Sequence, residues 1–195
     1  MAKRADATDR TRRGIEAALI RLLAARPYHG ITMVDIAAEA DVAVRTVQRH
    51  YRAKDDLLLR ACLIEPADAL VEFLNRPSAR FPEQALAKVV ESQFEFYDVH
   101  SGECRAVYAR AGDAPDVQQA LREALDTRLS RIRDFVACWP EVWAVDTDLA
   151  TRTLAALTSF PAWRGFTESG RFSPAEAASE VTVILCQRLL RPSRP

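Results

Sequence analysis

Apolar residues recur every three or four positions along most of this 195-residue sequence, and no stretch alternates apolar with polar residues. The first spacing places apolar side chains on one face of a helix, whereas alternation is the pattern of a strand. In the segment 9–26, for example, Ile15, Leu19, Leu22 and Leu23 form one such stripe. Only six glycines occur, and residues with high helix propensity are abundant. The sequence therefore predicts an all-α fold.

Prolines and glycines divide the predicted helices. Pro27 and Gly30 end the first, and Thr32 with Asp35 has the spacing of a helix N-cap in a near capping-box arrangement. Two short helices, 33–40 and 44–51, follow on either side of a tight break, and a longer helix begins at Lys54. The remaining predicted helices are 67–75, 83–99, 103–111, 115–138, 147–168 and 174–190.

Composition excludes several classes of protein. The four cysteines, Cys62, Cys104, Cys138 and Cys186, are far apart and form no CxxC pair, which predicts free thiols rather than a metal or redox site. No run approaches the roughly 20 apolar residues of a membrane span. The basic N-terminus has no apolar segment behind it, unlike a secretory signal. We therefore expect a cytoplasmic protein with no membrane partner.

The charge is unevenly distributed along the chain. Residues 1–60 contain 12 Lys and Arg against 8 Asp and Glu, whereas residues 61–195 contain 15 against 19. A net charge of zero thus conceals a basic N-terminal end. A basic segment of this kind is typical of proteins that bind a polyanion such as nucleic acid.

The basic character is strongest in the segment VRTVQRHYRAKDDLL, residues 44–58. On a helical wheel Val44, Val47 and Tyr51 share one arc, and a second arc carries basic and hydrogen-bonding side chains. The residues of that second arc are Arg45, Gln48, Arg49 and Arg52. Two short helices joined by a tight turn, the second of them basic, describe a helix-turn-helix. A basic helix of this kind fits the major groove, where Arg bonds guanine and Gln bonds adenine.

The string ITMVDIAAEADVAVRTVQRHYRAKDDLL resembles the N-terminal DNA-binding segment of TetR-family transcriptional regulators, and the match covers about residues 9–60. The resemblance implies a three-helix helix-turn-helix domain in residues 1–53 that binds double-stranded operator DNA. It further implies a helical ligand-binding and dimerisation domain in residues 54–195.

The resemblance also implies roles for individual residues. Thr32 matches a phosphate-contacting cap of the second helix, and Lys54 matches a lysine that holds phosphate at the start of the fourth. The recognition-helix positions that meet DNA are Val44, Arg45, Thr46, Gln48, Arg49 and His50. Tyr51, which matches an aromatic packing position, completes the predicted DNA-binding set.

Three positions depart from the family pattern. Asp41 stands where the family usually has Gly, and Asp tolerates the left-handed conformation that such a turn requires. Ala43 replaces a Ser, which removes a helix cap or phosphate contact. Gln48 stands where an aromatic residue is usual, so relatives do not predict the operator sequence.

The C-terminal two-thirds matches the family only in length and helical layout. Several of its aromatic residues could line a pocket for a small apolar or aromatic effector. The predicted lining consists of Phe94, Tyr97, Tyr108, Phe135, Trp139 and Trp143. The last two predicted helices carry more large apolar residues than one face needs, and in the family this pair forms the dimer interface. These residues are Leu149, Leu154, Leu157, Phe160, Trp163, Val181, Ile184, Leu185 and Leu189.

No feature of the sequence favours an enzyme. The three histidines lack paired metal-binding spacing, and there is no GxSxG, glycine-rich phosphate loop or HExxH. We therefore expect no cofactor and no metal. The sequence predicts a ligand-responsive transcriptional regulator that binds palindromic DNA as a homodimer, with a repressor favoured and an activator left open. The alternatives are a constitutive repressor without a ligand and an all-α enzyme that uses scattered residues.

Overall fold

The computed structural model describes the backbone of residues 2–62 and 82–191 and the side chains of residues 8–62 and 83–191. Helices account for nearly all the regular structure in these ranges. The one extended pairing within them is an isolated antiparallel bridge between Trp143 and Leu190. The prediction of an all-α fold is confirmed.

Ten α-helices lie in the described ranges, and most begin and end within two residues of the predicted positions. They are α1 (Ala2–Ala25), α2 (Met33–Glu39), α3 (Val44–His50), α4 (Lys54–Cys62), α5 (Pro82–Val99), α6 (Ser101–Arg110), α7 (Pro115–Ala137), α8 (Thr147–Leu157), α9 (Phe160–Arg164) and α10 (Pro174–Leu189). A 3-10 turn, Tyr28–Gly30, follows α1, and a π-helical turn, Gly165–Ser169, follows α9. The predicted helix 67–75 lies outside the described residues.

The chain forms two compact units. In the described ranges, the first unit contains residues 2–62 and 100–123, with α1–α4, α6 and the start of α7. The second contains residues 82–99 and 124–191, with α5, the rest of α7 and α8–α10. The α4 helix therefore belongs to the same compact unit as α1, α2 and α3. The predicted division of function at residue 53 stays a prediction.

The core of the first unit surrounds α1. Ile15 and Leu19 of α1 are fully buried and belong to one apolar cluster with residues from α2, α3, α4, α6 and α7. The cluster includes Ile36, Val47, Leu57, Leu58, Val107 and Val117. At Gly102, an added Cβ would lie 2.5 Å from the carbonyl oxygen of Leu23. A glycine is therefore needed where α6 crosses the end of α1.

The second unit is built on the packing of α5 against α10. Leu86 and Val90 of α5 and Val181 and Leu185 of α10 are all fully buried. Because Leu185 is buried within its own unit, the predicted role of this residue at a dimer surface is wrong. Leu154, Phe160, Trp163, Val181 and Leu189 are also buried there. In contrast, Leu149 and Ile184 are exposed and Leu157 is half-buried.

The predicted helix 147–168 is interrupted, and this boundary prediction was wrong. The α8 helix ends at Leu157, and Ser159 caps the short helix α9 by accepting a hydrogen bond from the amide of Ala162. The cause is Pro161, which has no N–H to continue the helix and occupies the first turn of α9.

The four cysteines are free, as predicted. Throughout the described ranges, no helix combines the length and apolar character needed to cross a membrane. Nor do these ranges contain three or more His, Cys, Asp or Glu side chains grouped as metal ligands.

Candidate nucleic-acid interface

The turn between α2 and α3 has the geometry that the sequence predicts. Asp41 has a φ of 53°, in the left-handed region that Asp tolerates better than most residues. The amide of Val42 donates to the carbonyl of Ala37 at 3.0 Å, and the amide of Asp41 donates to that of Ala38 at 3.2 Å. These two bonds form a Schellman motif, which closes the C-terminus of α2 and turns the chain into α3.

One face of α3 is buried and the other is exposed. Val47 is fully buried and Tyr51, just after the helix, is 5% exposed, so both anchor α3 to the core of the first unit. Burial of a side chain the size of valine contributes roughly 1.5–3 kcal/mol. The basic arc, defined as Arg45, Gln48, Arg49 and Arg52, is exposed throughout. The predicted amphipathic arrangement of α3 is confirmed.

Thr32 caps α2, and the predicted capping box is fully formed. Its hydroxyl accepts from the amide of Asp35 at 3.2 Å, and Asp35 Oδ2 accepts from the amide and the hydroxyl of Thr32, both at 2.7 Å. The bonds from Thr32, together with Arg26 at 3.1 Å, lower the pKa of the Asp35 carboxyl to about 2. Because the hydroxyl proton of Thr32 points to Asp35, a phosphate contact from this hydroxyl requires that bond to be exchanged.

Tyr51 lies in the core rather than on the exposed surface of α3. Its hydroxyl donates to Oε1 of Glu16 at 2.6 Å, and the guanidinium groups of Arg12 and Arg60 lie 4.0 and 3.8 Å from the same oxygen. Burial and the bond to Glu16 raise the pKa of the Tyr51 hydroxyl. The packing role implied by the family resemblance therefore fits Tyr51 better than a direct contact with DNA.

Lys54 is held by backbone carbonyls of its own unit. Its ammonium donates to the carbonyl of Tyr28 at 2.8 Å and to that of Ile31 at 2.7 Å, and it lies 3.9 Å from the centre of the Tyr28 ring. Burial lowers the pKa of this ammonium, and the neighbouring Asp55 acts in the opposite direction. An ammonium has three N–H donors. Two of them are used here, which leaves one for the predicted phosphate contact.

The start of α4 is also tied to α6. Both carboxylate oxygens of Asp55 accept from the guanidinium of Arg110, at 2.8–3.0 Å, and Oδ1 accepts from the hydroxyl of Tyr28 at 2.6 Å. The bidentate Arg110 pair lowers the pKa of the Asp55 carboxyl. Through Lys54, Tyr28 and Asp55, the turn after α1, the start of α4 and the end of α6 form one hydrogen-bonded group.

The remaining predicted DNA-binding residues of α3 lie between its buried face and its exposed face. Val44, Thr46 and His50 are half-buried. Nε2 of His50 is buried and has no hydrogen-bond partner within the described part of the chain. Ala43, at the N-cap, provides no side-chain hydrogen bond to the amides of the first turn. The DNA contacts of all nine predicted residues stay predictions.

The predicted effector residues are divided between the two units. Tyr108 belongs to the first unit, and the other five belong to the second. Trp143 is 2% exposed and donates from Nε1 to the carbonyl of Val136 at 2.9 Å, which is a packing role. Phe135 and Trp139 contact each other, with ring centres 5.5 Å apart. Phe94 is 1% exposed. Their contact with an effector stays a prediction.

Tyr97 contacts two aromatic residues, Phe160 and Trp163, that the sequence predicts at the dimer interface. Its ring centre lies 5.5 Å from that of Phe160 and 6.2 Å from that of Trp163. Arg128, which sequence reasoning missed, bonds to Gln93 one helical turn before Tyr97 and to Thr158 two residues before Phe160. The sequence contains a signal that Arg128 is partly buried. It lies on the same helical stripe as the buried Ile132 and Phe135 and is the charged member of that stripe.

The comparisons with known proteins agree with this architecture. Residues 15–61 match the family model of bacterial regulatory proteins of the tetR family. No curated protein sequence matches the chain.

Solved structures share the fold at low sequence identity. A transcriptional regulator from Saccharomonospora viridis in complex with choline is 20% identical, with a TM-score of 0.79 over 94% of this chain and 100% of that one. A TetR-family regulator from Mesorhizobium loti is 18% identical, with a TM-score of 0.75 over 94% and 98%. The regulator FadR from Bacillus subtilis, in complex with stearoyl-CoA, is 15% identical, with a TM-score of 0.68 over 88% and 96%.

The family match covers the second half of α1 and nearly all of α2–α4, and within it lie the Schellman turn, the buried anchors of α3 and the exposed basic arc. These features are those of a DNA-binding helix-turn-helix. The N-terminal domain of this chain is similar to the DNA-binding domain of the bacterial regulatory proteins of the tetR family.

Proposed function

We propose that this protein is a transcriptional regulator of the TetR family, a repressor that binds palindromic operator DNA as a homodimer and releases it when a small apolar or aromatic effector binds. The recognition helix is α3, and the basic arc faces the major groove. The effector occupies the second unit and shifts the population of conformers toward one that binds DNA weakly.

The exposed basic arc is the observation that carries this proposal. Arg45 and Arg49 are long cationic side chains on the solvent face of α3, Gln48 lies between them, and Arg52 is exposed two residues after the helix ends. Arg matches the acceptors of guanine, and Gln matches the donor and acceptor of adenine. Because Val47 and Tyr51 fix the opposite face, α3 can present this arc without changing its own packing.

The homodimer is supported by apolar side chains that the second unit leaves in water. Leu149 of α8 is 38% exposed, and Val183 and Ile184 of α10 are 45% and 39% exposed. These two helices are the pair that the family resemblance assigns to the dimer interface. A two-fold dimer places two α3 helices in successive major grooves and reads a palindrome.

The response to an effector is supported by two of the structural neighbours, which were solved with choline and with stearoyl-CoA. A constitutive repressor is the first alternative, and saturable binding of a small molecule that releases DNA separates the two. An all-α enzyme is the second alternative, and it requires turnover of a substrate.

Selection from random duplexes at physiological salt supplies the operator for the main test. Gln48→Ala and Arg49→Ala should each weaken operator binding by about 1–3 kcal/mol and random-duplex binding much less, because base contacts carry the sequence information. Arg152→Ala removes an exposed arginine from α8 and serves as the matched control, with both affinities unchanged. If Gln48→Ala and Arg49→Ala weaken both duplexes equally, the basic arc binds backbone phosphate alone and the sequence is read elsewhere.

A further inference from the structure

The second unit contains an aromatic group with two unused hydrogen-bond donors. Tyr97, Phe160 and Trp163 lie with neighbouring ring centres 5.5–6.2 Å apart, and Phe160 and Trp163 are stacked. Trp163 is 3% exposed, and its Nε1 is buried and has no hydrogen-bond partner in the described residues. The same holds for Nε2 of Gln93, which lies one helical turn before Tyr97 on α5.

Arg128 brings positive charge to Gln93. Its guanidinium donates to the carbonyls of Ala155 at 3.1 Å and Thr158 at 2.8 Å, to the hydroxyl of Thr158, and to Oε1 of Gln93 at 3.5 Å. Across the described residues, each oxygen that accepts from Arg128 belongs to a neutral group. The bonds therefore hold the guanidinium in place and leave its charge without a carboxylate.

The amide of Gln93 is oriented by this arrangement. Because Oε1 of Gln93 faces the guanidinium of Arg128, Nε2 must point away from it. Nε2 therefore presents N–H donors to the interior of the unit, where it has no described partner. A buried donor left unpaired is unfavourable, so these two donors, one on a ring in contact with Tyr97 and one a helical turn before Tyr97 on α5, oppose folding unless something pairs with them.

The chemistry of these groups selects the kind of ligand that could bind. Two N–H donors and an unneutralised guanidinium require oxygen acceptors, and a negatively charged acceptor gains most. The three aromatic rings offer an apolar surface to the remainder of the molecule. A quaternary ammonium also binds aromatic rings, but it carries no donor or acceptor for Gln93 and Trp163 and is repelled by Arg128.

We propose that the effector of this regulator is a carboxylate with an apolar body, whose oxygens accept from Nε1 of Trp163 and Nε2 of Gln93 beside Arg128. The inference rests on the proposed function, since it names the chemical class of the effector. It assigns a different preference from that of the choline-bound structural neighbour.

The test uses the full-length protein and three carboxylates of increasing size, namely benzoate, 2-naphthoate and decanoate, each beside the amine of the same carbon skeleton, and choline. The readout is the indole N–H signal of Trp163 in a ¹⁵N NMR spectrum, identified by its loss in Trp163→Phe. At least one carboxylate should move this signal downfield saturably, because an unpaired N–H then gains an acceptor, and its amine and choline should not.

Variants separate these donors from general packing. Trp163→Phe keeps an aromatic ring and Gln93→Met keeps a side chain of similar length, and each should weaken carboxylate binding about tenfold because one donor is lost. Isothermal titration calorimetry measures binding for every variant, since Trp163→Phe lacks the Trp163 signal. Gln187→Met, at an exposed glutamine of α10, is the matched control and should leave binding unchanged. Thermal unfolding of each variant confirms that the second unit is folded.

The outcomes distinguish this inference from the proposed function. If none of the three carboxylates moves the Trp163 signal, or if the amines or choline move it instead, the inference is overturned. If another compound releases operator DNA and Trp163→Phe responds to it normally, the proposed function stands and the inference falls. If a carboxylate binds through Trp163 and the operator stays bound, the inference stands and the effector response falls.

Discussion

At the scale of single residues, Lys54 shows how one side chain can be required for folding and still be available to DNA. The sequence assigns it to phosphate, whereas the structure places its ammonium on the carbonyls of Tyr28 and Ile31. These bonds hold the 3-10 turn against the start of α4, and α3 lies between the two in the chain. One N–H donor is left for a phosphate.

Lys54→Ala should therefore affect both stability and DNA binding. Loss of the ammonium leaves the carbonyl of Ile31 without its described donor, whereas the carbonyl of Tyr28 keeps the amide of Ile31, and the change should lower the free energy of unfolding by about 1–3 kcal/mol. If the third donor binds phosphate, the variant should also bind every duplex more weakly and lower the salt slope by about one. Denaturant unfolding and a salt series of DNA titrations measure the two effects.

Lys88→Ala is the matched control, since Lys88 is exposed on α5 and the change should stay within about 0.5 kcal/mol. Unchanged stability of Lys54→Ala would mean that the carbonyl contacts contribute nothing to folding. An unchanged salt slope would remove Lys54 from the predicted DNA contacts.

The capping box of Thr32 and Asp35 gives α2 a defined dependence on pH. The pKa of the Asp35 carboxyl is about 2 in the folded protein and about 3.8 without its partners. A lowered folded-state pKa means that the carboxylate stabilises the fold above about pH 4 and that this stabilisation is lost as the pH falls toward 2.

Asp35→Asn should accordingly be less stable than the natural protein at pH 6, and the difference should shrink as the pH falls from 4 to 2. Urea unfolding at a series of pH values measures this difference. Asp56→Asn, at the same position in the first turn of α4, tests whether the effect is specific to the Thr32 box. A constant difference across the range would show that the Asp35 charge does not stabilise the fold.

At the scale of elements, α3 is short and poorly capped. It has seven residues, too few for stability from its own hydrogen bonds, so the burial of Val47 and Tyr51 must hold it in place. Its N-cap is Ala43, whose backbone is extended as in a capping residue but whose side chain accepts no hydrogen bond. The recognition helix therefore begins with amides that no side chain pairs.

Ala43→Ser should raise the free energy of unfolding by about 1 kcal/mol, because a serine hydroxyl can accept from an amide of the first turn. Ala38→Ser, at an exposed position inside α2, should lower it slightly through helix propensity and provides the control. Denaturant unfolding of both variants measures the difference. No gain from Ala43→Ser would indicate that the first amides of α3 are already paired with water at no cost.

At the scale of the whole molecule, the second unit uses neighbouring residues of α10 for two different purposes. Leu185 is fully buried against its own unit, whereas the adjacent Ile184 is 39% exposed. Adjacent side chains on a helix point about 100° apart, so one helix can complete a core and also expose apolar side chains. The exposed pair Val183 and Ile184 is the part of α10 that the proposed homodimer uses.

Ile184→Arg should weaken the homodimer, because it places an unpaired charge in the proposed interface, and should leave the subunit folded. Leu185→Arg should instead unfold the second unit, because the charge is then buried within it. Light scattering at micromolar concentration measures the mass, and circular dichroism measures the helix content. A monomeric natural protein, or a fully dimeric Ile184→Arg, would remove this surface as the interface.

Much of the fold was open to prediction because its signals are local. Helical periodicity, the capping pair Thr32 and Asp35, and the tolerance of Asp41 for a left-handed turn each depend on residues within one turn of one another. The two faces of α3 also follow from local spacing, and the structure confirms that Val47 is buried and Arg49 exposed. The break before Pro161 also has a local signal, the proline itself, and the prediction of one continuous helix 147–168 did not use it.

Tertiary structure alone decided which long-range partner each side chain meets. The sequence contains Lys54 but not its distance from the carbonyl of Ile31, and it contains Arg128 but not its contact with Thr158. The burial of Leu185 and the unpaired N–H of Trp163 likewise depend on helices that are distant in the chain. Local sequence determined the helices and the recognition face because a helix is specified by residues three and four apart. The partners of the polar side chains were decided only by packing between helices, since that packing sets their distances and their access to water.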